Sequence, residues 1–279
     1  MRRKNGNGIR YLKAFLLGVM FVCLFRLGQA YCLSVEHQKK LEELKRMTET
    51  ELPQADTGDE REDSVLLRED REETTTGAGG IAGEDDGRLM LEKYRSLYLE
   101  NNDLAGWLSI EGMQIDYPVM QCEDNEYYLH HDFDGNDSKY GCLYVRERAD
   151  LENGTNFVIY GHNMKDGSMF GDLDFYREEE FYKDHARIAF DTLYEEHTYE
   201  IIAVFLSQIY NEDDDVFKYY QFYEAETEEE FNDFYENIKE LSLYDTGVEA
   251  EYGDTFLTLS TCAYHVKDGR LAVVAKRVE

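Results

Sequence analysis

A chain of 279 residues carrying 60 acidic and 29 basic side chains, for a formal net charge of −31, is long enough for one substantial domain plus additional segments. The acidic excess excludes nucleic acid as a partner, because phosphate recognition rests on clustered Lys and Arg. The 22 Tyr and 15 Phe equally exclude a wholly disordered acidic protein, since disorder goes with few aromatics.

Arg2, Arg3, Lys4, Arg10 and Lys13 precede an uncharged apolar run from Ala14 to Phe25. With its flanks, the stretch from Ile9 to Val35 can cross a bilayer of about 30 Å hydrocarbon, Lys13 and Arg26 snorkelling to the two surfaces. The basic flank orients the N-terminus inward and the rest of the chain outward. Gly28-Gln29-Ala30 loosely resembles a signal-peptide cleavage site, and its weakness favours an uncleaved anchor over a cleaved signal. Residues 1–35 therefore read as a basic cytoplasmic tail and membrane anchor. Glu36 to Met47 has a helical pattern, after which Thr48 to Asp86 is acidic, poor in aromatics and contains Thr74-Thr75-Thr76-Gly77-Ala78-Gly79-Gly80. Such a segment cannot bury enough apolar surface to offset its ordering entropy, so 36–87 is expected to be a short helix followed by a flexible stalk.

Structure resumes near Arg88, opening a domain over 88–279. Leu91, Tyr94 and Tyr98 mark one face of a helix ending before Asn101-Asn102-Asp103. Trp107 to Ile110 is a first strand, and Glu111-Gly112 turns it toward Gln114 to Val119, where Pro118 suggests an edge or a strand end. Further strands are expected at Gly141 to Val145, Asn156 to Tyr160, Arg187 to Thr192 and Tyr199 to Ser207. Short strands at irregular spacing with few long helices point to a barrel or sandwich. Thr227-Glu228-Glu229-Glu230 is a capping box opening a helix with Phe231, Phe234, Tyr235, Ile238 and Leu241 at helical spacing. Its aromatic stripe is core packing, and the helix could also wall a groove beside the strand that follows.

That strand and the next, Thr255 to Lys276, carry the candidate chemistry. Alternation puts Phe256, Thr258, Ser260 and Cys262 on one face, with Leu257, Leu259 and Thr261 on the other. A Lys267-Asp268-Gly269 turn then starts a second strand with Arg270, which can sit across from Cys262. A guanidinium keeps its charge at working pH and can stabilise a thiolate or an oxyanion, although a buried core thiol beside a surface arginine satisfies the same pattern. Upstream, Gly161-His162-Asn163-Met164 leaves the strand Asn156 to Tyr160 in a turn, where an imidazole is placed for proton transfer. Together Cys262, His162 and Arg270 match the needs of acyl transfer: a nucleophile, a proton donor and a cation for the developing oxyanion. The five cysteines include no CxxC, so a zinc ribbon is not expected, and Cys122 and Cys142 read as separate buried thiols, with pairing the lesser alternative. A metal site from His130, His131 and Asp132 is disfavoured, because neighbouring strand residues point to opposite faces.

These residues resemble the sortases, membrane-anchored cysteine transpeptidases of Gram-positive surfaces. Thr258-Leu259-Ser260-Thr261-Cys262 followed by Arg270-Leu271-Ala272-Val273-Val274 is similar to their cysteine and arginine signature, and Tyr160-Gly161-His162-Asn163-Met164 to their histidine segment. Several stretches resemble class B in particular: Asn102-Asp103 with Gly106-Trp107, Ile115-Asp116-Tyr117-Pro118-Val119, Asp124-Asn125 with Tyr127-Tyr128-Leu129, and Met169-Phe170-Gly171-Asp172-Leu173. The resemblance implies a mainly β, eight-stranded barrel with N-terminal helices and a helix before the cysteine strand. It implies Cys262 as nucleophile, His162 as general acid then base, and Arg270 as oxyanion or substrate stabiliser, with Ser260 a weaker candidate for substrate positioning. Arg277, at the end of the last strand, is not the matching arginine. The implied reaction cleaves a C-terminal sorting motif, NPQTN-like or related, after threonine and passes the acyl group to a peptidoglycan cross-bridge amine, with no cofactor. A thiol hydrolase, a pilin-joining enzyme and a non-catalytic adhesin on an acidic stalk are the alternatives.

Overall fold

The computed structural model of the protein describes residues 6–50 and 88–278; of the stalk expected from Thr48 to Asp86, the first three residues belong to a helix and the rest lies outside the described residues. The chain divides into an N-terminal unit and a larger C-terminal one. The first is the single helix α1 (Gly6–Thr50), which runs without a break from the apolar segment into the polar Glu36 to Met47 stretch. No Pro or Gly occurs from Gln29 to Leu52, so nothing in the sequence stops it. Within Tyr11–Glu49 the helix carries an apolar window of mean hydropathy 1.8, long and apolar enough to cross a membrane, and Phe15, Phe21 and Leu24 are exposed along it.

The second unit opens with α2 (Glu92–Glu100), which buries Tyr94 and Leu97, so the inward face includes Leu97 where the spacing had suggested Tyr98. Eight strands follow among the described residues: β1 (Leu104–Ser109), β2 (Asp116–Met120), β3 (Leu143–Val145), β4 (Asn156–Tyr160), β5 (Arg187–Thr192), β6 (Thr198–Gln208), β7 (Phe256–Cys262) and β8 (Gly269–Arg277). They close into a barrel in the order β1-β2-β3-β4-β7-β8-β6-β5. Closure leaves no edge strand. Pro118 accordingly lies inside the ring: it pairs with Trp107 of β1, and on its other side the short parallel ladder to β3 begins only at Val119, so its missing N–H costs no ladder bond there. Short helices α3 (Tyr127–His130) and α4 (Glu179–Asp184), with a 3-10 segment at Gly171–Arg177, fill connections in which the sequence pattern marked no element.

β4 and β7 pair in parallel, Asn156 with Phe256 through Tyr160 with Ser260, and the 161–255 crossover between them carries β5, β6 and the long helix α5 (Glu228–Leu241). α5 starts in the anticipated capping box: the Thr227 side chain accepts from the Glu230 N–H at 3.2 Å, and the Glu230 carboxylate accepts from the Thr227 N–H at 3.1 Å. Such a cap stabilises a helix by about 1 kcal/mol. Phe231, Phe234 and Ile238 pack with Phe256, Ala272 and Val274 on the outer face of the barrel, whereas Leu241, at the helix end, is exposed. Leu257, Leu259 and Thr261 pair with Ala275, Val273 and Leu271 on the inner face, so both faces of β7 are buried and only its C-terminal residue, Cys262, emerges.

Candidate active site

Cys262 ends β7, half-buried, directly across from Arg270 at the start of β8. The 263–268 loop between them is held closed by the Ala263 N–H to the Gly269 carbonyl at 2.9 Å. A side chain at Gly269 would place its Cβ 2.2 Å from the Ala263 carbonyl oxygen, so the close approach itself requires glycine. Arg270 is steadied from its own turn, its Nη1 donating to the carbonyls of Gly269 at 3.0 Å and Asp268 at 3.3 Å. No carboxylate pairs with it among the described residues, so its charge stays available to an anion.

His162 lies two residues beyond Tyr160 as Cys262 lies two beyond Ser260, and the parallel register of β4 and β7 therefore brings the imidazole turn and the thiol to the same end of the barrel. Three bonds lock the two segments together. The Thr261 hydroxyl donates to the Gly161 carbonyl at 2.8 Å, the Gly161 N–H to the Ser260 carbonyl at 3.2 Å, and the Asn163 amide to the Cys262 carbonyl at 2.8 Å. Gly161 is squeezed between Leu143 and Phe170, whose atoms would lie 2.4 and 2.8 Å from an added Cβ. The His162 Nε2 is 2.8 Å from the Leu129 carbonyl. Because a carbonyl can only accept, Nε2 carries the proton in that bond, and Nδ1 is the second ring nitrogen, ready to hold or release one.

The remaining stretches singled out in the sequence form the brace behind this turn. Phe170 N–H donates to the His162 carbonyl at 2.9 Å, and Met169 N–H to the Tyr117 hydroxyl at 3.1 Å. Tyr128, next to Leu129, donates its hydroxyl to Asp103 at 2.8 Å and accepts from Asn101 at 2.9 Å. Trp107 Nε1 donates to Asp116 at 2.6 Å. Separate hydrogen bonds, joined by neighbouring residues of the chain, thus link β1 and β2 to the histidine turn.

Ser260 is buried, its hydroxyl 2.7 Å from that of Tyr219. Burial pushes the Tyr219 phenol up to about 12 despite the Ser260 bond and the Arg270 charge, so it stays neutral and can donate. Ser260 is therefore placed beneath Tyr219, and the wall over it comes from the β6 to α5 connection. Arg277 pairs with Tyr199 at the far end of β8, away from Cys262. Cys122 and Cys142 are both free thiols, and burial raises Cys142 above the usual thiol range. His130 closes α3 and His131 bridges to Asp137 with its ring stacked on Tyr127, so the two do not lie on the strand that the sequence reading assumed. Tyr144, Arg146, Tyr160, Tyr219 and Tyr223, which the sequence reading did not single out as site residues, line the outer faces of β3 and β4 and the connection above them.

A family model described as the Sortase domain matches residues 108–278. The chain belongs to the sortase family. It is 35% identical over 194 residues to sortase B of Listeria monocytogenes, covering 67% of this chain and 74% of the relative, and 29% identical over 190 residues to sortase B of Staphylococcus aureus, covering 67% and 75%. Among solved structures, a sortase B from B. anthracis superposes with a TM-score of 0.67 at 28% identity, over 89% of this chain and 99% of that one. These relatives place the chain among the sortase B-type cysteine transpeptidases, with the barrel and N-terminal helices that class implies.

Proposed function

We propose that Cys262, His162 and Arg270 form the catalytic centre of this sortase and that it joins secreted proteins to the cell wall. The observation that supports the assignment best is the shared level of Cys262 and His162 at one end of the parallel β4 and β7 pair, with Arg270 across from the thiol. Cys262 attacks as the thiolate, and His162 carries the proton that the leaving amine needs. The sulfur attacks the threonine carbonyl of a sorting motif, and the electron pair moves to the carbonyl oxygen, where Arg270 balances the developing charge. The C–N bond then breaks, the departing amine takes the proton from His162, and a thioester remains on Cys262. An acceptor amine, in this reading from the peptidoglycan cross-bridge, attacks the thioester and gives its proton to His162. The C–S bond breaks, an amide forms and the thiolate returns. α1 serves as an uncleaved anchor that holds the domain on the outer face of the membrane, in keeping with its exposed apolar side chains and the basic residues before it. Ser260 acts through Tyr219, fixing the groove wall beside the thiol.

A panel of fluorogenic peptides of the NPQTN, NPKTG, LPxTG and SPxTG types, followed by mass spectrometry with and without an added amine, tests the reading. Cleavage after threonine, with faster turnover and a new amide when amine is present, is the expected result. Cleavage at an unchanged rate with only the free acid as product would identify a hydrolase instead.

A further inference from the structure

Arg146, just past the end of β3, holds a half-buried guanidinium that makes no ion pair among the described residues, in a chain with 60 carboxylates. One of its five N–H donors is spent, from Nη1 to the Tyr223 hydroxyl at 2.7 Å, and that hydroxyl donates onward to the Tyr220 carbonyl at 2.6 Å. The guanidinium otherwise lies on aromatic faces, 5.7 Å from the Tyr160 ring centroid and 5.9 Å from that of Tyr223. The adjacent acid is engaged elsewhere: Glu147 pairs with Arg148 at 3.3 Å and accepts from Asn125 at 2.9 Å. Beneath the cation, the Tyr160 hydroxyl is buried near that of Tyr223 but makes no well-formed hydrogen bond among the described residues, while Tyr144 stacks against the Tyr160 ring at 5.5 Å. A half-buried cation without a counter-ion, beside an unsatisfied phenol, costs stability that the fold alone gives no reason to accept.

The position of this cluster relates it to the thiol. Tyr144 pairs with Tyr160 and Val145 with Ile159, so Arg146 falls level with Val158, four residues down β4 from His162. That is about 13 Å at roughly 3.3 Å per residue. Stacking over Tyr160 brings the charge from β3 toward β4, onto the same outer face that ends at Cys262. Burial raises the Tyr144 phenol, and the charges of Arg146 and Arg270 both act on it in the opposite direction.

Resting on the assignment of Cys262 as the nucleophile, we propose that Arg146, with Tyr160 and Tyr223, is a specificity site for a carboxylate side chain four residues before the scissile threonine, immediately ahead of the sorting motif. An extended peptide with its threonine carbonyl at Cys262 spans the required distance in about four residues. A carboxylate that replaces the Tyr223 hydroxyl as partner of the guanidinium gains the planar two-donor fork of arginine and comes within reach of the Tyr160 hydroxyl, a neutral donor because burial holds its pKa far above the usual range.

Cleavage of peptides bearing Glu against Gln, and Asp against Asn, at each of the two to five positions before the threonine tests the site. At one or two adjacent positions the wild type should prefer the acid over its amide by on the order of tenfold or more in kcat/KM, a preference that shrinks with added salt. Arg146→Gln should bring that ratio to about one, Arg146→Lys should keep part of it, and Arg146→Glu should shift preference toward Lys at the same position. Because the readout is a ratio within one preparation, a partly misfolded variant does not mimic it. A ratio near one for the wild type at every position overturns the proposal, as does an acid preference that survives in Arg146→Gln, or variants that alter only the dependence on acceptor amine. Failure of the wild type to cleave any peptide would instead remove the sorting-peptide assignment, and this site with it.

Discussion

Replacing Cys262 by alanine is expected to abolish peptide cleavage, lowering kcat/KM by on the order of 10⁴-fold or more, because no other group in the centre can form the acyl intermediate. The fold should survive. The side chain sits half-buried at the end of β7, and none of the three bonds that tie this strand to the histidine turn uses it: they involve the Thr261 hydroxyl and the backbone carbonyls of Ser260 and Cys262, which the substitution leaves in place. A change in unfolding free energy within about 1 kcal/mol, read by urea titration alongside the cleavage assay, separates loss of chemistry from loss of structure. Substantial cleavage by the folded variant would transfer the nucleophile's role to another group.

His162→Ala should cost roughly 10²- to 10⁴-fold, the usual contribution of a positioned acid or base, and mainly in kcat. The imidazole is held by its Nε2 bond to Leu129 and by the brace through Phe170, Met169 and Tyr117, so the substitution removes a proton carrier from a turn that is supported independently. The leaving group distinguishes the role. A peptide ester that expels a phenolate needs no proton on departure, so the loss measured by its burst of phenolate release should be much smaller than that measured with the amide. Equal losses for both would mean that His162 serves to form or hold the thiolate and not to protonate the amine.

What could be read from the residues divides along physical lines. Alternation along β7 and the Asp268-Gly269 turn were enough to place Arg270 across from Cys262, because strand period and hairpin geometry are local. The capping box located the start of α5 for the same reason. Pro118 misled in suggesting an edge: its missing N–H matters only where a ladder bond would have formed, and the β3 ladder starts one residue later. Ser260 shares the thiol's face as expected, yet burial there depends on Tyr219 arriving from a connection some forty residues earlier, which no spacing announces. The Leu129 carbonyl that orients His162 is a backbone group and leaves no signal in side-chain identity. Arg146 escaped notice because its surroundings come from β3, β4 and the 219–223 segment, which meet only once the barrel closes.

The most direct test of the central claim is an intact-mass measurement of the 88–279 domain, acid-quenched during turnover of a cleaved sorting peptide in the absence of amine. The expected spectrum contains a species heavier by the acyl fragment ending in threonine, mapped by digestion to the segment carrying Cys262, discharged by hydroxylamine and missing from Cys262→Ala. Turnover of the same peptide with no adduct on Cys262, retained when that cysteine is alanine, would contradict the account.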